Sequence, residues 1–98
     1  MKRETILTQL RSHRDFLRSE FGVQSLALFG SLARDESRPD SDVDILIDFD
    51  RPVSYFDLFH VEDYLTQVLG VAKVDLVMRR AVHPALRDNI FREAIDVR

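Results

Sequence analysis

The sequence of 98 residues has no cysteine and no tryptophan, and only three glycines and three prolines. The absence of cysteine excludes disulfide bonds, thiolate catalysis and zinc sites built from cysteine. Neither the G-x-G-x-x-G dinucleotide fingerprint nor the G-x-x-x-x-G-K-[ST] phosphate loop occurs. With 45% hydrophobic residues, the composition indicates an ordered globular chain.

Long apolar runs and a positive net charge are also missing. No run approaches the roughly 20 apolar residues of a membrane span, and no secretory leader precedes the first amphipathic segment. We therefore expect a soluble, cytoplasmic protein without membrane contact, and the length predicts a single domain over residues 1–98. The net charge of -3 argues against direct nucleic-acid binding, which requires a basic face.

The charges that are present are unevenly distributed. Five aspartates lie between Asp40 and Asp50, whereas arginines are concentrated in the C-terminal third. This polarity suits a cation-dependent acidic centre beside a surface that meets an anionic ligand or partner. Solvated faces of ordinary helices also produce such a bias. The arginines concerned are Arg79, Arg80, Arg87, Arg92 and Arg98.

The first third of the chain predicts a helix followed by a buried strand. Apolar residues recur at steps of four and seven over about residues 3–20, which indicates an amphipathic helix that Gly22 is placed to end. Residues 25–29 form a short apolar run stopped by Gly30-Ser31, typical of a strand that runs into a tight turn. The charged segment 34–39 then predicts a loop or a single helical turn.

Residues 42–50 alternate in character, which is the period of a strand. A helix follows, with Ser54 as N-cap and Asp57 in a near capping box, and Gly70 ends it. A third strand is predicted at residues 73–78. One face of the strand at residues 42–50 carries Val43, Ile45, Ile47 and Phe49, and the other carries Asp42, Asp44, Leu46 and Asp48. The buried stripe of the helix that follows Ser54 is predicted at Leu58, Val61, Leu65 and Val68. The aromatic residues of this helix are interpreted as part of the hydrophobic core and its rim, and they are Tyr55, Phe56, Phe59 and Tyr64.

The last helix is predicted to begin at His83-Pro84, with Pro84 at its first position. Leu86, Ile90 and either Phe91 or Ala94 are expected to face inward. The element order is helix, strand, strand, helix, strand, helix. It predicts a two-layer α+β domain in which a small mixed sheet is covered by helices on one side.

Asp42 and Asp44 are the first candidates for chemistry. Two residues apart on a strand, their side chains leave the same face and can converge on one cation. Mg²⁺ takes oxygen ligands and is usually held by one or two carboxylates plus substrate phosphates. An acidic, solvent-facing strand edge is the alternative. A calcium loop is excluded, because its sixth and twelfth positions from Asp40 are Ile45 and Arg51 rather than Gly and Glu.

Two further features accompany this pair. The Gly30-Ser31 turn after a buried strand exposes N–H groups and a hydroxyl that suit a phosphate oxygen, although such turns are commonly structural. Asp75 is an acid within an apolar strand, where it could face the surface. If its strand neighbours that of Asp42 and Asp44, Asp75 could act as a general base, a metal ligand, or both.

Gly30-Ser31-Leu32-Ala33-Arg34 followed by Ser41-Asp42-Val43-Asp44 resembles the G-S-x-x-R and S-D-x-D signature of the DNA polymerase β-like nucleotidyltransferase superfamily. The strand Lys73-Val74-Asp75-Leu76-Val77 is similar to the one that carries the third acid of that superfamily. The spacing and the short chain resemble minimal nucleotidyltransferases, including the MntA-type antitoxins of HEPN/MNT toxin–antitoxin pairs.

The resemblance implies a nucleotidyltransferase fold and a role for each matching residue. Gly30 and Ser31 would hold the triphosphate of ATP, and Arg34 and Ser41 of the motif would assist nucleotide binding, with Arg34 supporting either the turn or the phosphates. Asp42, Asp44 and Asp75 would form the catalytic, Mg²⁺-binding triad. Asp35 departs from the Gly that many members carry.

The resemblance also implies an acceptor and a partner. The chain would transfer AMP from ATP to a hydroxyl, expected to be a tyrosine of a HEPN toxin, and would thereby act as an antitoxin. A non-catalytic module that neutralises its partner by binding is the alternative. Transfer to a small molecule such as an aminoglycoside ranks last, because such enzymes need an added domain or a dimer partner for the acceptor pocket.

Overall fold

The computed structural model describes residues 2–36, 38 and 40–98. Helices and strands alternate along the chain much as the sequence predicts. The elements are α1 (Arg3–Phe21), β1 (Val23–Phe29), α2 (Gly30–Ala33), β2 (Val43–Phe49), α3 (Tyr55–Leu69), β3 (Val74–Met78), a 3₁₀ turn (Arg79–Ala81), α4 (Pro84–Glu93) and β4 (Ile95–Asp96).

The strands form one mixed sheet in the order β3-β2-β1-β4. β1 pairs with β2 and β4 in antiparallel register, whereas β2 and β3 are parallel. Phe29 is opposite Asp44, and Asp44 is in turn opposite Asp75. The end of β1 therefore meets the starts of β2 and β3 at one end of the sheet.

One face of the sheet packs against α1 and α3. The predicted alternation of β2 is confirmed, because its apolar set is buried on this face while Leu46 is buried on the other. The α3 stripe shifts slightly, since Val61, Leu65 and Leu69 are buried and Leu58 and Val68 are only partly so. The main contributors to this core are Ile6, Leu10, Leu17, Val43, Ile45, Ile47, Phe49, Val61 and Leu65.

The opposite face is covered only in part, by the 3₁₀ turn and α4. Ile90 and Ala94 pack against a smaller cluster formed by Ala27, Phe29, Leu46 and Val82. The α+β class and the mixed sheet are confirmed, but the expectation that all helices lie on one side is wrong for α4. This face needs a cover because β1 and β2 also carry apolar residues on it.

The inward-facing prediction for Leu86 is wrong, whereas those for Ile90 and for Ala94, the alternative to Phe91, are confirmed. Leu86 is 54% exposed and Phe91 is 36% exposed, and the guanidinium of Arg79 lies 5.4 Å from the centre of the Phe91 ring. The helix lies across the edge of the smaller cluster, so only residues on the turn nearest the sheet reach it. After Glu93 the chain forms β4, a strand that the sequence pattern did not predict.

The predicted ends of the helices are confirmed. α1 ends at Gly22 and α3 at Gly70, and α3 begins with a reciprocal capping box between Ser54 and Asp57. The His83 Nδ1 atom accepts a hydrogen bond from the Ala85 N–H at the start of α4. Among the described residues, no helix is both long and apolar enough for a membrane span.

The aromatic residues of α3 divide between two environments. Tyr64 packs against Phe16 and Phe21, and its hydroxyl lies 2.8 Å from the His13 Nδ1 atom. The interpretation as core and rim is wrong for the other three, Tyr55, Phe56 and Phe59, which are 82%, 76% and 63% exposed. They lie in the first turns of α3 and project away from the sheet, because the opposite side of this helix supplies the buried stripe.

Candidate active site

The Gly30 turn begins directly at the end of β1. Gly30 has φ +75°, in the left-handed region that favours glycine. A Cβ atom at this position would overlap the carboxylate of Asp44, whose Cγ lies 3.0 Å from it. Both the backbone conformation and the approach of Asp44 therefore require glycine here.

The residues after Gly30 form a single closed turn of helix. The Arg34 N–H donates to the Gly30 carbonyl at 3.1 Å, and the Glu36 N–H donates to the Ser31 carbonyl at 2.8 Å. Asp35 is exposed and has φ +61°, in the left-handed region that favours glycine. The Arg3 guanidinium donates to the Ala33 carbonyl at 2.9 Å and thereby fastens the turn to α1.

Glu93, at the end of α4, is the residue of this site that sequence reasoning missed. Its Oε1 atom accepts a hydrogen bond from the Gly30 N–H at 3.1 Å, and its Oε2 atom lies 2.8 Å from Arg34 Nη1. Arg34 also pairs with Glu36 at 3.1 Å. These hydrogen bonds, with Glu93 contributing most, raise the pKa of Arg34 above its usual value. The guanidinium is therefore directed at two carboxylates and holds the turn against α4.

Glu93→Gln should loosen this turn. Glutamine keeps an oxygen for the Gly30 N–H, but its amide group cannot form the ion pair with Arg34. If the turn holds nucleotide phosphates, as the resemblance implies, nucleotidyl transfer should fall about tenfold because the turn becomes less fixed. Glu36→Gln is the matched control, since Glu36 contacts Arg34 but not Gly30. Equal rates for the two variants would contradict this role of Glu93.

The three predicted acids lie at the same end of the sheet. Asp44 and Asp75 are paired across β2 and β3, and Asp42 precedes β2 by one residue. The Lys73 Nζ atom lies between two of them, 3.8 Å from Asp42 Oδ2 and 3.6 Å from Asp75 Oδ1. The parallel register of β2 and β3 explains this convergence, because both strands start at this end.

The electrostatics of Asp44 reflect this crowding. Burial, followed by the charges of Asp75 and then Asp42, raises the pKa of Asp44 above its usual value, and Arg34 opposes the shift only in part. A cation that approached all three carboxylates would remove the repulsion. The Lys73 ammonium, which lies beside Asp42 and Asp75, already offsets part of this repulsion.

The donor chemistry fits a hard divalent ion, although the ligands are not arranged in advance. Within the described ranges, no three histidine, cysteine, aspartate or glutamate side chains stand together as a ready-made metal cluster. Carboxylate oxygens on two adjacent strands are nevertheless the ligands that Mg²⁺ prefers. Lys73 is largely exposed, so its ammonium can move aside.

Ser41 forms its hydrogen bonds with Arg38, and its predicted role in nucleotide binding stays a prediction. Its Oγ atom accepts a hydrogen bond from the Arg38 N–H at 2.8 Å, and its own N–H donates to the Arg38 carbonyl at 2.9 Å. In this conformation Ser41 closes the loop that leads into β2. Gly30, Asp44 and Asp75 are thus brought together, whereas Arg34 and Ser41 engage protein groups.

Comparisons with known proteins agree with this geometry. The family model of the nucleotidyltransferase domain matches residues 10–97. The protein adenylyltransferase MntA of Thermococcus cleftensis is 39% identical over 94 residues, which cover 96% of this chain and 94% of that protein. A candidate protein adenylyltransferase of Methanocaldococcus jannaschii is 41% identical over 87 residues, 88% of each chain.

Solved structures show the same fold. A structure described as a minimal nucleotidyltransferase superposes with a TM-score of 0.79 at 38% identity, covering 97% of this chain and 95% of that one. A crystal structure of the toxin–antitoxin MntA–HepT gives a TM-score of 0.67 at 20% identity over 93% of this chain and 70% of that one, which shows likeness of fold alone. The resemblance inferred from the motifs is confirmed, and the chain belongs to the nucleotidyltransferase domain family.

Proposed function

We propose that this protein transfers AMP from ATP to a tyrosine hydroxyl of a HEPN toxin and thereby acts as its antitoxin. The observation that carries the proposal is the convergence of Gly30, Asp44 and Asp75 at one end of the sheet. The name of the Thermococcus cleftensis relative, protein adenylyltransferase MntA, supports the reaction type. We place the activity in the cytoplasm, where ATP is available, and assign it to the single domain of residues 1–98.

The proposed roles follow the placement of the side chains. Gly30 and Ser31 hold the triphosphate at the turn, which Arg34 and Glu93 keep in position. Asp42 and Asp44, with Asp75, would hold Mg²⁺, which when bound would neutralise charge on the phosphates. Ser41 acts indirectly by shaping the loop that presents Asp42.

The transfer itself is a substitution at phosphorus. The hydroxyl oxygen of the acceptor bonds to the α-phosphorus of ATP, the bond from that phosphorus to the bridging oxygen breaks, and pyrophosphate leaves. The hydroxyl proton passes to the carboxylate of Asp75, which lies beside Asp44 and is part-exposed to an incoming acceptor.

The test is to incubate the protein with ATP, Mg²⁺ and the protein encoded by the neighbouring gene, and then to measure the mass of that partner. We expect a gain of one or more AMP units, lost when a tyrosine of the partner is replaced by phenylalanine. A partner of unchanged mass in the presence of a folded, ATP-supplied protein would refute the proposal.

A binding module that silences its partner without catalysis is the second candidate. It is favoured by the ion pairs that engage Arg34 and by the absence, in the part of the chain described, of a preassembled metal cluster. The double variant Asp42→Asn/Asp44→Asn separates the two. If this variant still silences the partner toxin at equal molar amounts, the binding module is supported. If the variant still binds the partner toxin but no longer silences it, catalysis is supported.

A further inference from the structure

A cavity of about 440 Å³ lies at the start of β1, at the opposite end of that strand from Gly30. It is lined by residues 23–26 of β1, by residues of α1, and by residues of the segments that follow β3 and α4. With seven residues in β1, the cavity and the Gly30 turn are about 20 Å apart. The charged residues of this cavity, hereafter the arginine cleft, are Arg14, Arg18, Arg79, Asp96 and Arg98.

The arginine cleft is strongly basic within an acidic protein. Its four arginines face a single carboxylate, Asp96, which lies 3.5 Å from Arg79 and 3.4 Å from Arg98. The whole chain carries a net charge of -3. An excess of guanidinium groups around one cavity attracts an anionic ligand, and their planar forks bind carboxylates in bidentate geometry.

The floor of the arginine cleft is a strand edge. β4 pairs with β1 at Ala27 and Leu28, and the Val97 N–H extends this pairing to the Leu26 carbonyl at 2.9 Å. The first residues of β1 continue beyond the partner strand. Val23 and Leu26 are buried, whereas Gln24 is exposed and Ser25 is partly exposed, so the accessible edge of β1 in the cleft lies at Gln24 and Ser25. Such an edge alternates N–H donors and carbonyl acceptors and accepts a further strand.

We propose that the arginine cleft is the docking site for an extended acidic segment of a partner protein, which adds to the exposed edge of β1. Carboxylates of that segment pair with Arg14 and Arg18, while its backbone pairs with the edge. A nucleic acid fits less well, because its phosphates offer acceptors only and leave the N–H and carbonyl alternation of the edge unmatched. A two-fold dimer that joins cleft to cleft is disfavoured, since it would bring a second set of arginines against the first.

This docking site is independent of the proposed transfer reaction and would exist in a purely binding protein as well. Its distance from Gly30 allows a partner to be held at one end of the sheet while one of its hydroxyl groups reaches the other. Arg14 and Arg18 are exposed on α1, so their replacement leaves the core intact.

The probe is a synthetic peptide of alternating glutamate and valine, acetylated and amidated at its ends, titrated into the ¹⁵N-labelled chain. We expect shifts of the amide resonances of Gln24, Ser25 and Val97, with saturation that defines Kd. Arg14→Ser/Arg18→Ser should weaken binding about tenfold. The matched control is Arg11→Ser/Arg92→Ser, which removes the same charge from exposed positions outside the cleft and should leave Kd unchanged.

Three further probes separate charge from strand pairing. The same peptide with every backbone nitrogen methylated keeps its carboxylates but cannot pair with the edge, so it should bind at least tenfold more weakly. Equal binding by the methylated peptide, equal or tighter binding by tripolyphosphate or an oligothymidylate, or shifts confined to residues outside the cleft would each overturn the proposal. So would the absence of any shift in the folded protein.

Discussion

Replacing Asp44 with asparagine is expected to reduce AMP transfer about 100- to 1,000-fold, because it removes a carboxylate that the transition state needs. The same change is expected to stabilise the free protein at neutral pH. Asp44 lies against Asp75 and near Asp42, and their charges raise its pKa. Asparagine has a similar shape but no charge, so the repulsion disappears. The gain in unfolding free energy should lie between a few tenths and about 1 kcal/mol, since solvent screens much of the repulsion.

The stabilisation should depend on pH in a defined direction. Because the pKa of Asp44 is raised on folding, the folded state binds its proton more tightly than the unfolded state does. Wild-type stability therefore falls as pH rises from the unfolded pKa, about 4, through the folded pKa. The advantage of Asp44→Asn should be full at neutral pH and vanish below about pH 4. Urea unfolding in the presence of a chelator, at several pH values, measures this difference.

Asp48→Asn is the matched control on the same strand. Asp48 Oδ1 accepts from Arg80 Nη2 at 2.7 Å, at the end of β2 away from Gly30. Its replacement should lower stability by about 0.5 kcal/mol and leave transfer unchanged. Added Mg²⁺ should raise the melting temperature of the wild-type protein more than that of Asp44→Asn. A destabilised Asp44→Asn variant at neutral pH would contradict the repulsion that we describe.

Gly30→Ala is the second change with a large expected effect. Alanine at φ +75° costs about 1–2 kcal/mol, and its Cβ would additionally overlap the Asp44 carboxylate. Relief of the overlap requires Asp44 or the turn to move. We therefore expect a stability loss of about 2–4 kcal/mol and a fall in transfer of about 100-fold or more. Chemical denaturation and the transfer assay measure the two effects.

Gly70→Ala isolates the contribution of the overlap. Gly70 has a similar φ of +65°, but a Cβ there would meet nothing within 4 Å. Gly70→Ala should lower the unfolding free energy only by the cost of the left-handed backbone conformation, about 1–2 kcal/mol, and should leave transfer intact. In an Asp44→Ala background, Gly30→Ala should cost about as much as Gly70→Ala. An unchanged cost in that background would show that Asp44 does not set the requirement for glycine.

Local features of the fold could be predicted because they depend on residues near one another in sequence. The capping box of Ser54 and Asp57, the helix ends at Gly22 and Gly70 and the alternation of β2 each involve interactions within a few positions. Asp42 and Asp44 were predicted in the same way, from their spacing on one strand, and Asp75 was predicted as an acid within an apolar strand. Whether Asp75 lies near Asp42 and Asp44 depended on β2 and β3 being neighbours in the sheet, which the local sequence pattern does not determine.

The sequence by itself determined the three longer helices, the first three strands, the strand alternation and the identities of the chemical groups. Only the tertiary structure decided that Glu93 fastens the Gly30 turn, that Lys73 lies between Asp42 and Asp75, and that α4 covers the second face. The contact from Glu93 to Gly30 spans 63 residues, and no local pattern records it. Such contacts depend on the path of the whole chain, because strand order and register bring together side chains that the sequence keeps far apart.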